Sequence, residues 1–166
     1  MRISKLLCKS FALLSLLLIA CSNTDDIQQK VTEIDASQLK VRDPFIFYDA
    51  DTDYYYLHVN GTLKVKSYKS KDLLTWQENG YSFLPSAGFW GKEDFWAPDF
   101  YKYEDKYYLF ITLSAPGVKR GTSVLVSDRV TGTFQPLVNN AVTPQEWTCL
   151  DGSLYVDSER TPWIFY

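Results

Sequence analysis

The sequence predicts an all-β fold of the propeller type, and three observations carry that prediction. From Val41 onward, short aromatic and β-branched runs alternate with turn residues, and no stretch has helical periodicity. One hairpin then recurs. "DPFIFYDADTDYYYLHV", "APDFYKYEDKYYLFITL" and "LDGSLYVDSERTPWIFY" each read strand, acidic turn, aromatic strand, and aligning Phe45, Phe100 and Ser153 spaces them by 55 (100 − 45) and 53 (153 − 100) residues. A second element repeats in phase: "VKSYKSKDLLTW" and "VLVSDRVTGTF" each run a strand into Ser, then Asp, then an aromatic, with Ser70 and Ser127 57 residues apart. Self-similarity near this period, with about four short strands per unit, marks propeller blades. A β-sandwich matches the strand density but gives no reason for one hairpin to return at fixed spacing.

Taken in order, residues 1–20, "MRISKLLCKSFALLSLLLIA", place Arg2, Lys5 and Lys9 before an apolar run from Phe11 to Ala20. The run is too short to span a bilayer and reads as a signal peptide. "LIAC" at Leu18–Cys21 resembles a bacterial lipobox, which implies diacylglycerol on Cys21; plain secretory cleavage near Ala20 is the alternative. Asp25 and Asp26 resemble the acidic export signal of Bacteroidetes surface lipoproteins. The implied location is the bacterial outer membrane, facing the periplasm or exposed on the cell surface. Residues 21–40 are polar with scattered apolar positions and read as a lipid-attached tether.

The domain proper is expected over 41–166, with strands at Phe45–Tyr48, Tyr54–Val59, Leu63–Tyr68, Phe100–Tyr103, Tyr107–Leu113, Ser123–Ser127, Leu154–Val156 and Trp163–Tyr166. Removing the signal peptide leaves 14 basic against 20 acidic residues, a net charge of −6. Such a chain has no electrostatic case for binding nucleic acid. With Cys8 removed and Cys21 acylated, Cys149 has no partner, so neither a disulfide framework nor a zinc spacing is available.

The acidic residues can be compared blade by blade. Asp43, in Arg42-Asp43-Pro44, and Asp151, in Leu150-Asp151-Gly152, share one register two residues ahead of an inner strand; Asp99, in "FWAPDF", falls one residue later. Pro44 disfavours the helical region for Asp43 and is expected to hold it extended. A strand-capping aspartate is the local reading of Asp43. Inner strands surround one axis, however, so three carboxylates at their entrances converge on one face. That cluster is costly unless it serves chemistry or a cation.

Arg42-Asp43-Pro44, Trp96-Ala97-Pro98-Asp99 and Leu150-Asp151-Gly152, in this order and blade placement, resemble glycoside hydrolase family 43 over the whole of Val41–Tyr166. The resemblance implies a five-bladed propeller acting by inversion on arabinose- and xylose-containing plant polysaccharides. It implies Asp43 as general base and Asp151 as the residue that tunes and orients the general acid. Trp96 and Asp99 would border the sugar site with Arg42, and Trp90 with Phe89 could add aromatic wall, although inter-blade packing accounts for those two more simply. Fructan hydrolases also carry Arg-Asp-Pro, but after an Asn-Asp-Pro-Asn motif that this sequence lacks. The resemblance allows a structural calcium ion in the complete propeller; no cofactor and no metal ligand is assigned here.

Inversion explains the residue types. One carboxylate activates water while a carboxylic acid protonates the leaving oxygen, the two standing ~6.5–9.5 Å apart. The family's acid is a glutamate beyond the third-blade aspartate. Glu93 and Glu146 lie in the wrong places for it, and Glu159 sits in a hairpin turn. Five blades need roughly 275 residues, so 41–166 is expected to hold about two and a half blades and to be inactive alone. A non-catalytic glycan-binding surface propeller is the competing expectation. Asp49, Asp51 and Asp53 mimic an EF-hand loop but lack its glycine and glutamate, and read as a hairpin turn. His58, the only histidine, is expected to be a packed strand residue.

Overall fold

The hairpins that recur in the sequence are the inner halves of successive antiparallel meanders. The computed structural model describes residues 32–166. The signal peptide read over 1–20 and the lipidation site Cys21 lie outside the described residues. In chain order the strands are β1 (Glu33–Asp35), β2 (Phe45–Asp49), β3 (Tyr54–Gly61), β4 (Lys64–Ser70), β5 (Thr75–Phe83), β6 (Glu93–Tyr103), β7 (Lys106–Ala115), β8 (Val118–Ser127), β9 (Gln135–Pro136), β10 (Ser153–Val156) and β11 (Pro162–Phe165). Strands β2 to β5, with β1 added beyond β5, form the first blade, β6 to β9 the second, and β10 with β11 the leading hairpin of a third. The only helical element among the described residues is a single 3-10 turn, Ala36–Gln38.

Strands β6 and β8 begin earlier than the sequence reading expects, at Glu93 and Val118, and two further differences concern the first blade. Residues 33–41, read there as the end of the tether and the entry to the domain, belong to the first blade. Strand β1 pairs antiparallel with β5, and Ile34, Ala36, Leu39 and Val41 pack against the buried cluster of Leu57, Val59, Tyr68 and Trp76. Their apolar positions are too sparse to signal a strand, but together they cover one face of the blade. Strand β5 was also not expected, because its run "TWQENGYSF" is largely polar and holds Gly80 at φ +73°. It forms because β4 supplies a pairing edge, with a register shift that absorbs the glycine.

The Ser-Asp-aromatic repeat is the turn between the third and fourth strands. In the first blade Ser70 Oγ donates to the Thr75 carbonyl (2.6 Å), and Asp72 Oδ1 accepts the amides of Leu74 and Thr75 (2.9 and 2.8 Å). Trp76 then buries its ring below. In the second blade the same place is held by Ser127 and Phe134, whose amide donates to the Ser82 carbonyl of the first blade (3.0 Å).

The main core lies between the first two blades. Phe47 meets Phe100 (centroids 4.9 Å), Phe83 meets Phe89 (5.0 Å), and Leu109, Ile111, Leu113 and Leu125 back them with almost no exposure. Each such side chain contributes roughly 1.5–3 kcal/mol by burial. Polar ties fix the direction of the inner strands. Lys102 at the end of β6 pairs with Asp51, just past the end of β2, and Tyr107 Oη donates to Asp49 (2.8 Å). Tyr103, also at the end of β6, donates to the Arg160 carbonyl in the β10–β11 turn (2.9 Å). Strands β2, β6 and β10 therefore run the same way, and their entrances share the opposite side.

Candidate functional site

That shared side carries the Asp-Pro, Ala-Pro and Asp-Gly segments. Asp43, Ala97 and Asp151 are spaced by 54 residues each time (97 − 43 and 151 − 97) and have nearly the same positive φ: 49°, 44° and 51°. The extended conformation expected of Asp43 is thus not found. Left-handed backbone at a non-glycine residue costs about 1–2 kcal/mol, and it recurs here where each blade's inner strand is entered. In the second blade this happens inside β6, where pairing with β7 slips between Trp96 and Asp99. The strained residue is a better landmark than the aromatic one. Aligned on it, Ala97 takes the place of Asp43 and Asp151, and Asp99 that of Phe45 and Ser153.

Asp43 is half-exposed. Among the described residues its carboxylate pairs only with its neighbour Arg42 (3.4 Å), whose side chain is largely in solvent. It accepts no hydrogen bond from the amides of residues 45 and 46, so it does not cap the strand.

Asp151 is held from its backbone. Its amide donates to Thr112 Oγ1 (2.9 Å), and the Gly152 amide donates to Thr122 Oγ1 (3.2 Å). A β-carbon on residue 152 would lie 2.4 Å from Thr122 Oγ1, so only glycine fits. The Asp151 carboxyl remains exposed.

Asp99 stands near Asp151. Burial pushes its pKa up, the Tyr101 hydroxyl bonded to it (3.0 Å) pulls it down, and the Asp151 charge pushes it up again. Tyr101 is raised to about 12, by its own burial first and then by Asp99. Asp99 therefore feels a carboxylate of the neighbouring blade, while a phenol stabilises its own charge.

Trp96 is well exposed and borders a depression of about 450 Å³ with Asn60, Thr62, Leu63, Asp94 and Phe95. The Arg120 guanidinium lies over its ring (4.5 Å) and pairs with Asp94 Oδ2 (2.8 Å), which also accepts from Ser114 Oγ (2.6 Å). Asp99 is not on the lining of this depression. Trp90 is placed elsewhere. Its indole N–H donates to Ser123 Oγ (2.8 Å) on β8, two strands out from β6, and its ring meets Phe89. Both are packing residues, and Phe89 is fully buried. Arg120, Thr112, Thr122 and Tyr101 were not legible in the sequence, since none belongs to a repeated motif. Among the described residues no three His, Cys, Asp or Glu side chains converge on one point.

The sequence profile of Glycosyl hydrolases family 43 matches residues 36–166. This chain is a member of glycosyl hydrolases family 43. The family is one of glycosyl hydrolases. An endo-arabinase of Bacteroides thetaiotaomicron is 59% identical, with a TM-score of 0.77 over 82% of this chain and 48% of that one. An endo-1,4-β-xylanase of the same organism is 26% identical with a TM-score of 0.63, over 81% of this chain and 44% of that one. An extracellular exo-α-(1→5)-L-arabinofuranosidase of Cellvibrio japonicus is 24% identical over 147 residues, covering 79% of this chain and 41% of the relative. The chain thus spans somewhat under half the length of these relatives. Its meanders are blades of the family's five-bladed propeller.

Proposed function

We propose that this chain supplies the leading blades of an inverting glycosidase for arabinose- or xylose-containing plant polysaccharides, with arabinan the foremost substrate. The choice of arabinan rests on the 59% identity to a protein named as an endo-arabinase. The observation that carries the catalytic reading is the pair Asp43 and Asp151, each at the entrance of an inner strand on one side, each at positive φ and each with an exposed carboxyl. Left-handed backbone at non-glycine residues is one form of strain that working sites hold, and here it returns at the matching place in each blade.

In this mechanism Asp43 takes a proton from water as the water oxygen bonds to the anomeric carbon. The bond from that carbon to the leaving oxygen breaks, and a carboxylic acid protonates the departing oxygen. The anomeric configuration inverts. Asp151 orients that acid and raises its pKa by its own negative charge. No carboxyl within 1–166 is assigned as the acid, so these residues by themselves turn over no substrate. Trp96 offers an aromatic face to the sugar ring. Cys21 carries lipid that holds the domain at the outer membrane within reach of polysaccharide.

The test is release of reducing ends from linear arabinan by the full-length protein. Asp43→Asn should lower turnover by about 10²–10⁴-fold, the contribution of general base catalysis. Wild-type turnover that Asp43→Asn leaves unchanged refutes the assignment. Arabinan bound but never cleaved indicates instead a glycan-binding propeller.

A further inference from the structure

The second blade holds the third blade's aspartate through a pair of threonines that face each other across β7 and β8. Thr112 and Thr122 are directly paired in the ladder, and both are completely buried. Buried hydroxyls need a hydrogen-bond partner. Here Thr112 Oγ1 accepts the Asp151 amide and Thr122 Oγ1 accepts the Gly152 amide, so two consecutive peptide N–H groups of the next blade are taken up by one rung. A third bond fixes the approach: the Cys149 amide donates to the Arg120 carbonyl (3.0 Å). Gly152 presses against Thr122 so closely that a β-carbon would sit 2.8 Å from the threonine Cβ.

We propose that the Thr112–Thr122 rung is a positioning device for Asp151. It anchors the aspartate's own peptide and the next one, and so sets where the carboxylate stands relative to Asp99 and to the sugar. Three features favour positioning over general adhesion between blades. The bonds converge on the aspartate itself and not on the strand that follows. Asp151 is held at a φ of 51°, a conformation that relaxes unless both flanks are tied. The Asp151 side chain makes no hydrogen bond of its own among the described residues, so its backbone alone fixes the point from which the carboxylate projects. The inference rests on the glycosidase reading for its catalytic consequence. A mislaid catalytic group of this kind costs ~10²-fold for ~1 Å.

The experiment compares Thr112→Val, which keeps shape and removes the acceptor, with Thr112→Ser, which keeps the acceptor. In the full-length protein acting on linear arabinan, Thr112→Val should lower kcat by about 10- to 100-fold with KM changed less than about threefold. Thr112→Ser should restore kcat to within about threefold of wild type. Amide hydrogen exchange provides the local check: in Thr112→Val the Asp151 amide should lose protection while Leu109 and Leu125 keep theirs. An Asp151 amide released with kcat unchanged overturns the proposal, as does Thr112→Ser behaving like Thr112→Val. If Thr112→Val does not fold, Thr122→Ser and Thr112→Ser decide it: both should stay near wild type, and a 10-fold loss in either refutes it. Failure of the glycosidase reading looks different, with wild-type protein and Asp43→Asn equally inert.

Discussion

His58 lies flat on Phe100, their ring centroids 4.3 Å apart and their planes 7° from parallel. The contact joins the second strand of one blade to the inner strand of the next. His58 is completely buried, and its one polar contact is with Ser82 Oγ at 2.7 Å. Its Nε2 has no partner among the described residues. A charged imidazolium cannot be solvated there.

Burial lowers the His58 pKa from 6.5 to about 3. The folded value lies below the unfolded one, so the contribution to stability is complete above pH ~6.5 and is lost as pH falls toward 3, because the unfolded chain takes up a proton that the folded chain refuses. The slope approaches ~1.4 kcal/mol per pH unit for one proton. Urea denaturation between pH 7.5 and 4.5 should show it, and His58→Gln should flatten it. An identical slope in the variant would assign the acid sensitivity to carboxylates instead.

Tyr107 and Asp49 form the buried polar tie between the first two blades. Asp49 also accepts the Thr52 amide and hydroxyl (3.0 and 2.8 Å), so Tyr107→Phe removes one partner of three. The expected cost is about 1–3 kcal/mol. It should appear as a lower denaturation midpoint with unchanged m value. No measurable change would mean that water replaces the phenol.

Asp99 reports on its neighbours by titration. Asp151→Asn removes a charge that pushes the Asp99 pKa up, so its midpoint should fall, while burial, the larger cause, keeps part of the upward shift. Tyr101→Phe removes a bond that pulls the pKa down, so the midpoint should rise. Carbon-13 NMR of the aspartate side chains measures both. Shifts of the same sign would contradict the geometry.

Arg120 supports Trp96 from one side. Arg120→Lys keeps a charge for Asp94 but loses the planar stacking on the indole. If Trp96 forms sugar-binding wall, KM for arabino-oligosaccharides should rise about two- to fivefold, the worth of a half-exposed cation–π contact, with kcat little affected. An unchanged KM would make the pair purely structural.

The inner hairpins and the order of the motifs were determined by the sequence alone. Alternating aromatic runs and acidic turns are local signals, and a pattern that recurs at a blade's length needs no tertiary information to be seen. Asp43 and Asp151 stood out for the same reason. The positive φ at Asp43 was not legible, because the local sterics of proline favour an extended neighbour and the observed 49° departs from that preference. The role of residues 33–41 was likewise invisible: Ile34, Leu39 and Val41 are unremarkable until the face of Leu57 and Trp76 is there to receive them. Tertiary structure also decided that Trp90 packs while Trp96 stays open, since indoles in neighbouring segments are told apart only by what lies over them. Thr112 and Thr122 are two ordinary strand threonines in the sequence. They hold Asp151 only because the chain returns, a blade later, to set two amides within reach of their hydroxyls.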